Sequence, residues 1–189
     1  MKCLSDIICT SGNALHIVEQ LPKDQKIIFC PDKHLGSWIN EKTGRNMILW
    51  NGYCWAHVQY KADELKELKA TFPNTPLVCH PECPKEIRDL AECVCSTEKM
   101  ISFCRENPSD KFIIATVVEM IYRLQREIPD KTFIAATSSG KLSQHCKNML
   151  MNTPEKLLAC LENLEPRVEL EASKIAAARK PIERMLSMS

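Results

Sequence analysis

Short apolar runs alternate with amphipathic stretches along almost the whole chain, and this rhythm most limits the folds open to it. Strands are expected at DIIC (6–9), KIIFC (26–30), MILW (47–50), PLVC (76–79), ECVC (92–95), KFIIA (111–115) and TFIAA (132–136). Each run is too short for a helix and is bounded by turn-forming residues. Between them, ALHIVEQL, LGSWINEKTG, ADELKELKATF, KMISFCREN and EMIYRLQREI carry apolar residues at spacings of three and four. Pro31, Pro76, Pro108 and Pro129 punctuate the boundaries, where a residue without an N–H is tolerated. Strand and helix in alternation predict an α/β fold of three-layer units with short parallel sheets.

The rhythm also repeats. Cys9-Thr10-Ser11 leads into a helix, then KIIFC, a second helix and MILWNGYC; Cys95-Ser96-Thr97 leads into a helix, then KFIIAT, a second helix and TFIAATSS. A cysteine closes each copy, Cys54 lying 45 residues after Cys9 and Cys146 lying 51 after Cys95. Two pseudo-symmetric copies of one unit are expected, spanning 1–57 and 58–152, with a C-terminal helical segment at 153–189. The second copy opens with PLVC and PKEIRDLA, whereas only MKCLSD precedes DIIC in the first. An absent opening strand would leave ladder groups unpaired, so the chain is expected to begin partway through a unit.

A net charge of +1 and a pI near 7.5 give no electrostatic case for nucleic acid. No apolar run approaches the roughly 20 residues of a membrane span, so neither nucleic acid nor membrane is an expected partner. Eleven cysteines, an odd number, sit in a chain long enough to bury a core without staples. Reduced thiols in a cytoplasmic protein are expected. Cys30, Cys79, Cys93, Cys104 and Cys160 read as small core residues.

The run Cys79-His80-Pro81-Glu82-Cys83 invites comparison with a zinc knuckle completed by Cys93 and Cys95. Alternation along a strand opposes this, because Cys79 and His80 point to opposite faces. His80 and Glu82 lie just past a strand's C-terminal end, where parallel sheets bind ligands. Ser11, Ser96 and Thr97 occupy comparable strand-to-helix turns, and helix capping competes with ligand binding as their role.

The motifs SDIICTSGNA, FCPDKHLGSWINEKTG, MILWNGYCWAH, VCHPEC, CSTEKM, CKNMLMNTPEKLLACLENLEP and ARKPIERML, in this order, resemble those of bacterial and archaeal quinolinate synthase. The resemblance runs from Ser5 to Met185. It implies two of three α/β domains that surround one [4Fe–4S] cluster, held by one cysteine from each. By that likeness Cys54 and Cys146 are metal ligands, the third ligand belongs to a first domain with no counterpart here, and Cys9 is structural. His80, Glu82 and His57 become catalytic, while Ser11, His80, Pro81, Glu82, Ser96 and Thr97 become substrate-binding. The implied reaction condenses iminosuccinate with dihydroxyacetone phosphate to quinolinate for NAD biosynthesis. It implies a functional link to L-aspartate oxidase or aspartate dehydrogenase. Cys95, Trp55, Val117 and Tyr122 depart from the family pattern, which has Gly, Pro, Glu and His there. The chain alone is expected to be inactive. The rivals are a remnant without cluster or catalysis, and a zinc-binding interaction module.

Overall fold

The computed structural model describes residues 1–137 and 145–189; the end of the TFIAATSS run, Ser138 and Ser139, lies outside them. The architecture is α/β, with two short parallel sheets and C-terminal helices. Two compact units result, one from Leu21–His145 and one from Met1–Gln20 with Cys146–Ser189.

The larger unit begins with β1 (Ile28–Phe29), α2 (Lys33–Thr43) and β2 (Ile48–Leu49), the two strands pairing in parallel. Asp32 caps α2, its Oδ1 accepting from Leu35 N at 2.7 Å, and Gly44 ends it in the left-handed conformation with φ of 67°. Gly36 lets α2 lie against this pair, because a Cβ there would come within 2.6 Å of Leu49 Cδ2 and 2.8 Å of Phe29 Cδ1. After α3 (Ala62–Thr71) come β3 (Leu77–Cys79), α4 (Lys85–Arg88), β4 (Cys93–Val94), α5 (Thr97–Glu106), β5 (Lys111–Ala115), α6 (Glu119–Glu127) and β6 (Thr132–Ala135). These four strands form an all-parallel sheet in the order β4-β3-β5-β6.

The strand period of two divides the core between the faces of this sheet. Val78, Phe112, Ile114 and Phe133 pack on one side with Met100, Cys104, Leu124 and Ile128. Leu77, Cys79, Ile113 and Ala115 pack on the other with Tyr60, Leu65, Cys83 and Ile87. Burying one such aliphatic side chain contributes about 1.5–3 kcal/mol. Both faces are covered, so β3 and β5 read as unbroken apolar runs rather than alternating ones.

Arg88 is buried at the base of this arrangement. Its guanidinium donates to the carbonyls of His34 (3.1 Å) and Cys83 (2.9 Å) and pairs with Glu41 at 2.8 Å, tying α4 to α2.

In the smaller unit, α1 (Ala14–Gln20), α7 (Pro154–Asn163) and α8 (Ala172–Ser187) carry the structure. Thr153 caps α7, with Pro154 in the first turn, where its missing N–H costs nothing. The DIIC segment forms no strand, which corrects the sequence expectation. A strand exists only beside a partner. Here Ile8 N donates to Pro181 O of α8 at 3.2 Å, and no other strand lies among this unit's described residues. Gln20 Nε2 donates to Met188 O at 2.7 Å, and Cys3 Sγ to Lys174 O at 3.5 Å.

No disulfide joins any of the eleven cysteines. Cys79 and Cys104 are fully buried as expected; Cys30, Cys93 and Cys160 are only half-buried, Cys30 and Cys93 at the margins of short strands and Cys160 within α7, a helix that buries none of its residues. No helix among the described residues is long and apolar enough to cross a membrane.

Candidate functional site

The site is built where strands end. His80 follows β3, Ser96 follows β4 and Thr116 follows β5, and hydrogen bonds from Cys95 N to Cys79 O (3.0 Å) and His80 N to Ala115 O (3.1 Å) set these chain ends side by side. All three side chains are buried. Polar groups at the C-terminal edge of a parallel sheet point to a ligand crevice.

A second segment joins them. After β2 the NGYC turn passes so close to Pro31 that a Cβ at Gly52 would collide with the Pro31 carbonyl. The carboxylate of Asp32 fixes the next stretch: while Oδ1 caps α2, Oδ2 accepts from Cys54 N at 2.7 Å. Burial pushes the Asp32 carboxyl above its ordinary range, against the two backbone N–H groups that hold it down. A short 3-10 turn, His57–Gln59, then delivers His57 into the crevice.

Five side chains meet there. His57 Nδ1 lies 3.0 Å from Cys54 Sγ and 3.2 Å from Glu82 Oε2, and its Nε2 lies 3.0 Å from Thr116 Oγ1. The His57 ring stacks on that of His80, with centroids 4.5 Å apart and planes at 19°. His80 Nδ1 lies 3.8 Å from Glu82 Oε2 and 3.3 Å from the Glu82 backbone N–H. Tyr60 OH donates to the Thr116 carbonyl at 2.5 Å, so this one threonine is held at its backbone while its side chain holds His57.

The electrostatics differ for the two rings. Burial works against a charge on His57, but the hydrogen bonds to Cys54 and Glu82 outweigh it and raise its pKa to about 9. Burial and the neighbouring His57 lower His80 to about 4, with Glu82 opposing weakly. Burial favours a neutral Glu82, yet the His57 hydrogen bond and the adjacent His80 leave its carboxyl below the ordinary value. At neutral pH the group therefore holds a carboxylate, an imidazolium and a neutral imidazole within contact distance. Such a set can give and take protons at adjacent points.

Of the residues singled out in sequence, Cys54, His57, His80 and Glu82 come together. Pro81 is buried in the same turn. Ser96 is buried at the next strand end and caps α5, accepting from Lys99 N at 3.5 Å, and Thr97 opens that helix half-buried. Ser11 and Cys146 belong to the smaller unit, both half-buried. Cys79 and Cys83 lie in the core, Cys83 Sγ against Ala115 O at 3.5 Å, on the sheet face opposite that of Cys93 and Cys95, so among the described residues these four thiols do not converge on one point. Asp32, Tyr60 and Thr116 carry no ligand-like motif and were not expected. Asp32 alone left a signal, a Pro-Asp pair at a helix start.

The family model described as quinolinate synthetase A protein matches residues 1–187. The chain belongs to this family. Curated relatives of the quinolinate synthetase A family align over the whole chain. Quinolinate synthase of Chlorobaculum parvum is 43% identical over 190 residues, covering 100% of this chain and 59% of its own length. That of Thermosynechococcus vestitus is 42% identical over 191 residues, covering 60% of its length. The chain thus spans about three-fifths of the length of the family members it matches.

Proposed function

We propose that the chain supplies a large part of a quinolinate synthase site, which condenses iminosuccinate with dihydroxyacetone phosphate in NAD biosynthesis. The observation that carries this is the meeting of Cys54, His57, His80 and Glu82 at the strand ends, within a chain matched by the family model over residues 1–187. In this reading Cys54 and Cys146 are ligands of a [4Fe–4S] cluster. The donor chemistry at Cys54 fits: it is a half-buried thiol on a backbone fixed by Asp32, beside polar groups rather than core.

When bound, such a cluster supplies a Lewis-acidic iron that polarises substrate oxygens. The chain's own groups handle orientation and protons. The ionised Glu82 can take a proton from a substrate carbon or hydroxyl, and the imidazolium of His57 can return one to a departing oxygen. Neutral His80 offers a hydrogen bond to a substrate carboxylate. Pro81 fixes the turn between His80 and Glu82, and the hydroxyls of Ser11, Ser96 and Thr97 suit carboxylate or phosphate oxygens. The imine would come from an aspartate oxidase or dehydrogenase, and the reaction is placed in the cytoplasm. The repeats at 1–57 and 58–152 are read as two copies of one domain.

A chimera tests this directly, with the present chain replacing the matching part of the Chlorobaculum parvum relative. After anaerobic reconstitution with iron and sulfide, the chimera should form quinolinate. His80→Ala and Glu82→Gln should keep the iron and lose at least about 100-fold in turnover, while Cys54→Ser and Cys146→Ser should lose the iron itself. Near-normal turnover in the first pair, or unchanged iron in the second, would overturn the assignment.

A further inference from the structure

Cys54 and His57 are three residues apart across a tight turn, and Glu82 reaches them from the loop after β3. Their donor atoms, a sulfur, a ring nitrogen and a carboxylate oxygen, all lie within 4.8 Å of one another. We propose that, when no iron–sulfur cluster is assembled, Cys54, His57 and Glu82 hold a single divalent ion of the zinc class, through Sγ, Nδ1 and a carboxylate oxygen.

Geometry supports a four-coordinate centre. Bonds of roughly 2.0–2.3 Å in a tetrahedron separate donor atoms by about 3.3–3.8 Å. The observed Cys54 Sγ to His57 Nδ1 and His57 Nδ1 to Glu82 Oε2 separations are 3.0 and 3.2 Å. An outward shift of a few tenths of an ångström admits the ion. The outer shell is also in place, since His57 Nε2 meets Thr116 Oγ1 at 3.0 Å, and this contact aims Nδ1 at the centre. The Tyr60 hydroxyl fixes Thr116 in turn.

Donor type selects the metal. One thiolate, one imidazole and one carboxylate suit zinc, cobalt or ferrous iron, whereas magnesium and calcium take oxygen shells. A thiolate and a carboxylate together neutralise a divalent charge. Three protein ligands leave a fourth position to water, the pattern of exchangeable rather than purely structural sites. His57 is buried while Cys54 and Glu82 are half-buried, so the ion can enter. The proposal shares Cys54 with the cluster reading but differs in its other ligands. It makes zinc and cluster mutually exclusive occupants.

The test is cobalt titration of the metal-free, reduced chain, followed by zinc competition. One cobalt per chain is expected, with a thiolate-to-cobalt charge-transfer band and the intense visible bands of a four-coordinate ion, bleached by zinc. Cys54→Ser should abolish the charge-transfer band, and His57→Ala and Glu82→Gln should each weaken binding by more than the roughly 10-fold expected of the outer-shell change Thr116→Val. Cys146→Ser and Cys93→Ser should leave the spectrum and affinity unchanged, and circular dichroism reports whether each variant folds. A charge-transfer band surviving in Cys54→Ser, or lost in Cys146→Ser, overturns the proposal, as does wild-type chain that binds no cobalt. Failure of the wild-type chimera to take up iron and sulfide, with cobalt binding by the chain intact, would sink the cluster reading and leave this one standing.

Discussion

The imidazoles of His57 and His80 stack at 4.5 Å, yet their surroundings drive their proton affinities apart, to about 9 and about 4. Each shift has a stability consequence. His57 binds its proton more tightly in the fold than in the unfolded chain, so its contribution is complete below about pH 6.5 and is lost as pH rises through 9. His80 favours its neutral form, so its contribution is complete above about 6.5 and declines as pH falls towards 4. The combined contribution of these two rings to the stability of the metal-free chain should therefore be greatest near pH 6.5. Urea unfolding across pH checks this: His57→Gln should flatten the alkaline limb and His80→Asn the acidic one. Parallel profiles in wild type and both variants would remove the pair as the cause.

Thr116→Val should cost about 1–3 kcal/mol. The change keeps the shape but leaves the buried Nε2–H of His57 without an acceptor. The expected signature is a lower urea midpoint with an unchanged slope, together with a downfield shift change confined to the His57 ring protons.

Arg88→Met should destabilise the larger unit by about 3 kcal/mol. The Arg88 side chain is only 2% exposed and serves two carbonyls and Glu41 together. Glu41→Gln should cost much less, because that carboxylate is 37% exposed and water replaces the lost charge. Equal costs for the two variants would mean that the ion pair, and not the carbonyl contacts, carries the effect.

Ser96→Ala separates capping from ligand contact. The Ser96 hydroxyl accepts from Lys99 N at the long distance of 3.5 Å, so loss of the cap should cost only about 0.5 kcal/mol. A loss of substrate affinity in the chimera far beyond that figure would assign the hydroxyl to the ligand instead.

The sequence made some of this architecture legible and concealed the rest for physical reasons. KFIIA became β5 and TEKMISFCRE became α5 because a short apolar run bounded by turn residues and apolar residues at spacings of three and four are both local signals. DIIC carried the same apolar signal but formed no strand, because pairing depends on a neighbour that composition cannot specify. His80 and Glu82 could be singled out from their place after a strand. Thr116 could not, and Asp32 could be read only as a helix cap, since the contacts that matter reach 22 residues from Asp32 to Cys54 and 59 from Thr116 to His57. Cys93 and Cys160 look like core thiols in sequence, yet Cys93 opens a two-residue strand and Cys160 lies on a helix that buries none of its residues, which only the fold decides.

The alternation through β3 and its exit carries a consequence for how this gene can vary. Cys79 packs in the core while the next residue, His80, stacks in the crevice. Loss or gain of one codon within Leu77–Cys79 would exchange these destinations, burying an imidazole among aliphatic groups and offering a thiol where the stacked ring belongs. Point substitutions here can be graded in effect, but frame-preserving indels cannot. Natural variants of this chain should therefore keep the spacing from Pro76 to Glu82 fixed, which a single-residue deletion and insertion scan across 76–82 would reveal.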